Sequence, residues 1–284
     1  MTDEERESKQ GSIDIRKLPG YEVNIRLTSF IDAILVCNAN AVSFRKWHDK
    51  INTPALVVML KEPANYSLRH ETNLELQRQF SNFLMSAFAV RDHWYALRNE
   101  YYIGTAVNEK INAFTSETFG KNELASFMHD FRNYITHKGY PLVSQTFSEK
   151  DHRLINDVRF EKEQLLEYKK WSTLSKQYIN RIENSISLIS CVSEYSEILR
   201  LYYYTLVKML EEWHKEDLSL LKHYKDSYGL KNQHRSNKTP SIKYIRMRVV
   251  STTRFLFLQK MKGGTPCQIK RKNTSTLPSK QQRN

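Results

Sequence analysis

The sequence predicts an all-α protein in which four to five helices pack around one core. Apolar residues make up 40% of the 284 residues and aromatic residues 12%, which is enough for a buried core. Only 8 Gly and 7 Pro occur, which argues against turn-rich β sandwiches and against nucleotide folds built on glycine loops. Beyond His70, aromatic and aliphatic residues recur at the three- and four-residue spacing of a helix face.

Residues 1–63 are predicted to form an N-terminal extension of mixed character. Residues 1–20 are polar, end in Pro19-Gly20 and are expected to be a mobile lead-in. A strand-like alternation follows at Val23, Ile25 and Leu27. The apolar runs after it are short, so helix and strand both remain open for this segment.

Residues 64–229 are predicted to form the helical domain. Three helix faces are marked by Phe80, Phe83, Leu84, Ala87 and Phe88, by Val107, Ile111 and Phe114, and by Leu124, Phe127, Met128, Phe131 and Ile135. The first helix is expected to run to about Tyr102, and the third to begin at Glu123. The third ends with a clear stop signal, because Lys138 precedes Gly139, which can take a left-handed conformation, and Pro141 cannot continue a helix.

The second half of this domain is predicted to hold two more helices. Residues 142–160 are predicted to form a connector with at most a short extended piece at 158–160. Helices are expected over about 162–181 and 186–221, where apolar residues again share one face. Short loops between long helices favour antiparallel neighbours.

The formal net charge of +13 comes entirely from the C-terminal end. The last 63 residues hold 16 of the 44 Lys and Arg and one of the 31 acidic residues, Asp226. Residues 230–284 are polar and interrupted by Gly and Pro, which predicts a basic, flexible tail. Two interpretations of the tail remain open: non-specific, salt-sensitive binding of RNA, or no selected role.

Composition also argues against several kinds of site and location. The longest apolar runs fall far short of the roughly 20 residues that cross a bilayer, so no membrane association is expected. An acidic N-terminus is not typical of a secretory signal, and three widely separated cysteines favour a reducing compartment, so we expect a cytoplasmic protein. Neither a His-x-x-x-His pair nor a Cys/His cluster occurs, and no glycine-rich nucleotide motif; neither a metal nor a cofactor is therefore expected.

Residues suited to chemistry are concentrated at the end of the third predicted helix. Arg132 and His137 lie five residues apart there, and Asn133 precedes His137 by one turn on the same face. An imidazole can take the proton of a ribose 2′-hydroxyl or give one to the leaving 5′-oxygen. A guanidinium fork can stabilise the charge of a phosphorane-like transition state, and Asn133 can fix the imidazole tautomer. This arrangement suits RNA cleavage without a metal.

A purely structural role also fits the same spacing. His137 would then bond the last carbonyls of the helix, and Arg132 would pair with a nearby acid. Spacing alone favours this interpretation, because an Arg and a His five apart recur by chance in charged helices.

The surrounding residues resemble a known motif. Arg-Asn-Tyr-x-x-His-Lys-Gly-Tyr-Pro, preceded by Phe127 and Phe131, resembles the Arg-x(4–6)-His signature of the HEPN superfamily, in which a polar residue such as Asn commonly follows the Arg. Weaker matches are Asn82-Phe83-Leu84, Asp92-His93, Phe160–Leu166 with Trp171, and Glu194-Tyr195. Over roughly residues 70–221 the chain is similar to stand-alone prokaryotic HEPN-like proteins.

The resemblance implies a HEPN-like helical bundle, commonly a homodimer whose two motifs face each other across the interface. It implies metal-independent endoribonuclease activity in toxin–antitoxin or other host-defence settings. Arg132 and His137 would be the catalytic pair and Asn133 the assisting residue; RNA, a second copy of the chain and an antitoxin protein are the expected partners.

Two features of the superfamily widen the possibilities. Some members have lost nuclease activity, so the alternative is a non-catalytic helical protein that binds RNA, a nucleotide or a protein partner. Members controlled by an adenylyltransferase carry a Tyr two residues after the His, whereas this chain has Gly139 there. Control by tyrosine AMPylation is therefore not expected.

Overall fold

The computed structural model describes residues 14–150 and 153–227, and this part of the chain is mostly helical. Its helices are α1 (Pro19–Ile51), α2 (Pro54–Lys61), α3 (Tyr66–Leu97), α4 (Ala106–Phe119), α5 (Glu123–Lys138), α6 (Lys162–Leu166), α7 (Thr173–Arg181), α8 (Leu188–Trp213) and α9 (Lys215–Ser227). Its strands are β1 (Val143–Lys150), β2 (Arg153–Glu161) and β3 (Ser185–Ser187). The predicted helical class is confirmed, and a small three-stranded sheet accompanies the helices. The predicted basic tail, 230–284, lies outside the described residues.

Helix α1 occupies most of the segment in which the sequence left helix and strand open. Its buried side chains recur every three or four residues, as one helix face requires: Val23, Leu27, Phe30, Ile31, Ile34, Cys37, Ala41 and Phe44. Ile25, which lies between two of them, is 45% exposed, so the strand-like alternation is coincidental. Pro19 begins the helix, a position where its missing N–H costs nothing. Residues 19 and 20 are therefore helical rather than part of a mobile lead-in.

Helix α1 packs along α3 and also contacts α8 and α9. At its centre, the Phe30 ring lies 6.1 Å from the ring of Trp94 on α3 and 5.9 Å from that of Tyr203 on α8, between centroids. At its start, a Cβ atom on Gly20 would lie 2.1 Å from the backbone oxygen of Asp217 on α9. The close approach of α1 and α9 thus requires glycine at this position.

Helix α1 also has the length and apolar composition to cross a membrane. The mean hydropathy reaches 1.4 over an 18-residue window, and 39% of that window is buried within the fold. A core helix of a soluble protein meets the same criterion, and the face of α1 that packs on α3 and α8 accounts for much of its apolar character. The expectation of no membrane association stays a prediction.

A three-stranded antiparallel sheet, in the order β1-β2-β3, replaces most of the predicted connector. β1 and β2 form a hairpin whose register pairs Val143 with Phe160 and Lys150 with Arg153. Along β2, Asn156, Val158 and Phe160 are buried and alternate with more exposed residues, the period-two pattern of a strand with one covered face. The short extended piece expected at 158–160 is thus the end of a much longer strand.

Two predicted helices are interrupted. The segment 162–181 is broken by a loop in which Trp171 donates its Nε1–H to the backbone oxygen of Leu165 at 2.6 Å. The segment 186–221 begins with part of β3 and is divided at His214 between α8 and α9. The Trp171 contact accompanies the first break, and at the second the His214 ring lies 3.2 Å from the hydroxyl of Tyr102; helical periodicity reveals neither contact.

An aromatic cluster fixes α5 at the centre of the molecule. The Phe131 ring lies 4.9 Å from that of Phe160 on β2 and 5.6 Å from that of Phe80 on α3, between centroids. On the same helix, Phe127 stacks on Trp171 at 5.5 Å. Because the three phenylalanines and Phe80 are almost completely buried, the axis and rotation of α5 are set by the core.

Candidate functional site

The candidate motif lies on the second half of α5, and both ends of this helix are those that the sequence predicts. Asn122 caps the first turn, since its side-chain oxygen accepts from the N–H of Ala125 at 2.9 Å. The buried face consists of Leu124, Ala125, Phe127, Met128, Phe131 and Tyr134. It follows the predicted stripe with two differences: Ala125 is also buried, and Tyr134 replaces Ile135 as the last buried member.

Gly139 ends α5 as expected, but with a different backbone conformation. Its φ is +83°, in the region that favours glycine, whereas its ψ of −172° is extended rather than left-handed helical. Its N–H donates to the carbonyl of Ile135 at 3.1 Å. The chain therefore leaves the helix in an extended direction through Pro141 and enters β1 directly.

Arg132 is half-buried against α3. The centre of its guanidinium lies 5.3 Å from the centroid of the Phe88 ring, within the range of a cation–π contact. Its Nε is buried and has no hydrogen-bond partner in the part of the chain that the structure describes. It also forms no ion pair there, so the acid partner expected from a structural role is missing.

Asn133 and His137 face outward from α5, half-buried and exposed respectively. In residues 14–150 and 153–227 neither side chain forms a hydrogen bond, with the other or with the helix-end carbonyls. The structure thus places the three motif residues on one helix without joining them. The tautomer-fixing contact between Asn133 and His137 is absent from this arrangement, and so is the helix cap that a purely structural His137 would form.

A cavity of about 470 Å³ lies near the motif, and Phe88, which contacts Arg132, is one of its lining residues. We call it the aromatic cavity; it is lined by Phe88, Arg91, Trp94, Tyr95, Thr115, Phe119, Ala125, Ser126, His129, Asp130, Ser172, Tyr195, Leu199, Tyr202 and Tyr203. It lies between α3, α4, α5 and α8. The sequence does not reveal it, because residues far apart along the chain form its walls, and the only available signal was the series Tyr202-Tyr203-Tyr204.

Phe88 connects the aromatic cavity to the motif. The guanidinium of Arg91 lies 4.6 Å from the centroid of the Phe88 ring and that of Arg132 lies 5.3 Å from it. Arg91 is paired with Asp92 at 2.8 Å, whereas Arg132 has no such partner among the described residues. One ring therefore forms part of the cavity wall and also supports the motif arginine.

Asp130 ties α5 to the start of α7. Its Oδ2 accepts from the backbone N–H of Ser172 and from the hydroxyl of Ser175, both at 2.7 Å. Burial by itself would raise the pKa of Asp130, but these hydrogen bonds and one from His129 outweigh it, so the pKa is lowered. This aspartate has a clear structural role, in contrast to the three motif residues.

One further histidine, His93, and two tyrosines, Tyr202 and Tyr203, have positions that are explained by packing. The His93 ring packs edge-on against Phe30, with 5.7 Å between centroids, as expected for a core histidine. Tyr202 and Tyr203 are each 4% exposed and pack in the core. In the described part of the chain no three His, Cys, Asp or Glu side chains converge as metal ligands would.

Comparison of the chain with family models, with curated proteins and with solved structures returns no match. The resemblance to the HEPN superfamily therefore depends on the residues quoted from the sequence. The fold supports a helical class and does not identify the specific HEPN bundle.

Proposed function

We propose that this protein is a metal-independent endoribonuclease that uses Arg132 and His137. The proposal rests on the observation that neither side chain is engaged in an ion pair or a hydrogen bond within the described part of the fold. Arg132 has no carboxylate partner and His137 no hydrogen bond among the described residues, although both lie on a helix held rigidly by the core. Structural arginines and histidines at helix ends usually have such partners.

The proposed chemistry is an internal transesterification. His137 takes the proton of a ribose 2′-hydroxyl, the 2′-oxygen attacks the adjacent phosphorus, and the bond from phosphorus to the 5′-oxygen breaks. The leaving 5′-oxygen receives a proton, and Arg132 stabilises the extra negative charge on the phosphorane-like transition state. Asn133, one turn before His137 on the same face, assists by orienting either the imidazole or the substrate.

A second copy of the chain belongs to this proposal. One imidazole cannot both accept the first proton and already hold the one that the leaving group needs. Two motifs facing each other in a homodimer supply two histidines, which removes the difficulty. We extend the proposal to a cytoplasmic defence or toxin–antitoxin setting, in which an antitoxin protein would cover the motif until RNA cleavage is needed.

The test compares His137→Ala with the wild-type protein on a structured RNA in the presence of EDTA. We expect the wild type to cleave and the variant to lose at least about 100-fold in rate, the usual contribution of a general acid or base. Arg132→Lys keeps the charge but not the guanidinium fork, so we expect a loss of about 10-fold or more.

His223→Ala is the matched control, because His223 is also an exposed histidine near the end of a helix. It is expected to cleave at the wild-type rate. Absence of cleavage by the wild type, or equal rates for the wild type and His137→Ala, would contradict the proposal.

The alternative is a helical protein that binds RNA, a nucleotide or a protein partner without cleaving RNA. The aromatic cavity beside Arg132 is the observation that favours it, since such a cavity serves binding without any catalytic group. RNA retained equally by the wild type and His137→Ala, and cleaved by neither, would support this alternative.

A further inference from the structure

The walls of the aromatic cavity are mostly apolar. Seven of its lining residues are Phe, Trp or Tyr, contributed by α3, α4 and α8. Its volume of about 470 Å³ is within the range of small-molecule sites, roughly 300–1,000 Å³. Such walls favour a planar ring system, which can stack against one ring and meet the edges of others.

Two tyrosines of α8 that line the cavity have hydroxyl groups without a hydrogen-bond partner among the described residues. Tyr195 and Tyr203 line the cavity, are 6% and 4% exposed, and form no hydrogen bond within the described residues. Their neighbour Tyr202 differs, because its hydroxyl shares a hydrogen bond of 2.7 Å with Thr115. Because neither hydroxyl is among the fully buried polar atoms, both are open to a molecule that occupies the cavity and can form a hydrogen bond with it.

The two free hydroxyls are hydrogen-bond donors at any physiological pH. Burial raises the pKa of Tyr195 and that of Tyr203 above the ordinary value for tyrosine. Both phenols therefore remain protonated, and what they lack is an acceptor. Carbonyl oxygens and ring nitrogens are acceptors that fit a planar molecule.

The charged groups that line the cavity already have partners within the protein. Arg91 is paired with Asp92, and the Asp130 carboxylate accepts from Ser172 and Ser175 and contacts His129. A ligand with a net charge would find no unpaired partner among the lining residues. An uncharged molecule fits the site better.

We propose that the aromatic cavity is a binding site for an uncharged, planar aromatic molecule that carries a carbonyl oxygen or ring nitrogen. Its rings lie among the aromatic side chains, and its acceptor receives a hydrogen bond from Tyr203, Tyr195 or both. The proposal is independent of the endoribonuclease function, since it uses none of the three motif residues.

The test measures the binding of two uncharged probes of similar size to the full chain by equilibrium dialysis. The first, 7-methoxycoumarin, has a lactone carbonyl, and the second, 2-methoxynaphthalene, lacks one. We expect saturable binding of one coumarin per chain, tighter than that of the naphthalene. Tyr203→Phe and Tyr195→Phe remove one donor each, and at least one of them should weaken coumarin binding by about 3- to 10-fold while leaving naphthalene binding unchanged.

A second variant fills the cavity. Ser126→Phe places a ring where a half-buried serine of α5 lines the wall, and should abolish binding of both probes. Ser81→Phe is its control, because Ser81 is also half-buried on a helix but lies outside the lining. Thermal melting checks that each variant is folded.

Three results would overturn the proposal. The first is no saturable binding of the coumarin by the wild type. The second is coumarin binding that survives Ser126→Phe in a folded protein. The third is an equal affinity for the two probes that neither tyrosine substitution changes. That result would indicate a non-specific hydrophobic surface without a hydrogen-bonding group that recognises the ligand.

Discussion

At the scale of single residues, the contrast between Asp130 and the motif shows what the sequence can and cannot reveal. Arg132, Asn133 and His137 stand in a local pattern, so they are found by spacing on one helix. The bonds of Asp130 join residues more than forty positions apart, from α5 to Ser172 and Ser175. Local patterns contain no such information, and the sequence leaves Asp130 as an ordinary polar residue.

Replacing Asp130 tests its structural role. Asp130→Ala leaves the N–H of Ser172 and the hydroxyl of the fully buried Ser175 without their acceptor, so we expect a loss of about 1–3 kcal/mol in the free energy of unfolding. Urea denaturation at pH 7 measures it. Asp92→Ala, at an exposed ion pair, is the control and should cost less than about 1 kcal/mol.

The same aspartate predicts an acid dependence. Its folded pKa is below its unfolded value, so its stabilisation is fully present above the unfolded pKa and is lost as the pH falls through the folded pKa. The difference in stability between wild type and Asp130→Ala should therefore shrink below about pH 4. A difference that stays constant down to pH 2 would show that the charge does not matter.

At the scale of elements, prediction succeeded where a helix has both a periodic face and a marked end. α5 satisfies this condition, because Asn122 and Gly139 mark its ends, whereas for α3 and α4 the sequence marks the periodic face alone. It failed at the hairpin β1–β2, whose burial depends on a covering helix layer, and at the loop held by Trp171. In these places tertiary contacts decide the structure, and the local pattern is ambiguous.

The crossing of α1 and α9 gives a prediction at this scale. A methyl group on Gly20 would overlap the backbone oxygen of Asp217, so Gly20→Ala must push the two helices apart and should cost about 1–3 kcal/mol. The comparison is Gly104→Ala, because the space around position 104 is open. There we expect only the strain of the positive φ of +80° to lower the free energy of unfolding, by about 1 kcal/mol. Chemical denaturation of both variants measures the two costs, and a smaller cost at position 20 would contradict the tight crossing.

At the scale of the whole molecule, two buried cysteines report on the integrity of the core. Cys37 on α1 and Cys191 on α8 are 3% and 2% exposed. Burial raises the pKa of Cys37 to about 11 and that of Cys191 to about 12, so few thiolates exist at neutral pH. Only loss of the packing around them makes these thiols reactive.

Iodoacetamide labelling at pH 8, followed by peptide mass spectrometry, tests this expectation. Both cysteines should stay unmodified in the native protein over a period in which the chain in guanidinium chloride is fully modified at both positions. Modification of either one under native conditions, at the rate of a free thiol, would show that α1 or α8 is not packed as described.

The meeting of α1 with α9 also has a consequence for how the chain acquires its structure. α1 is synthesised before α3, α8 and α9, and α3 is the first of these three that can cover part of its apolar stripe. The remaining side faces α8 and α9, which emerge near the end of the described chain. Until then that side is exposed to solvent, so the packing of α1 is completed only when α8 and α9 are present, although α1 is synthesised before them.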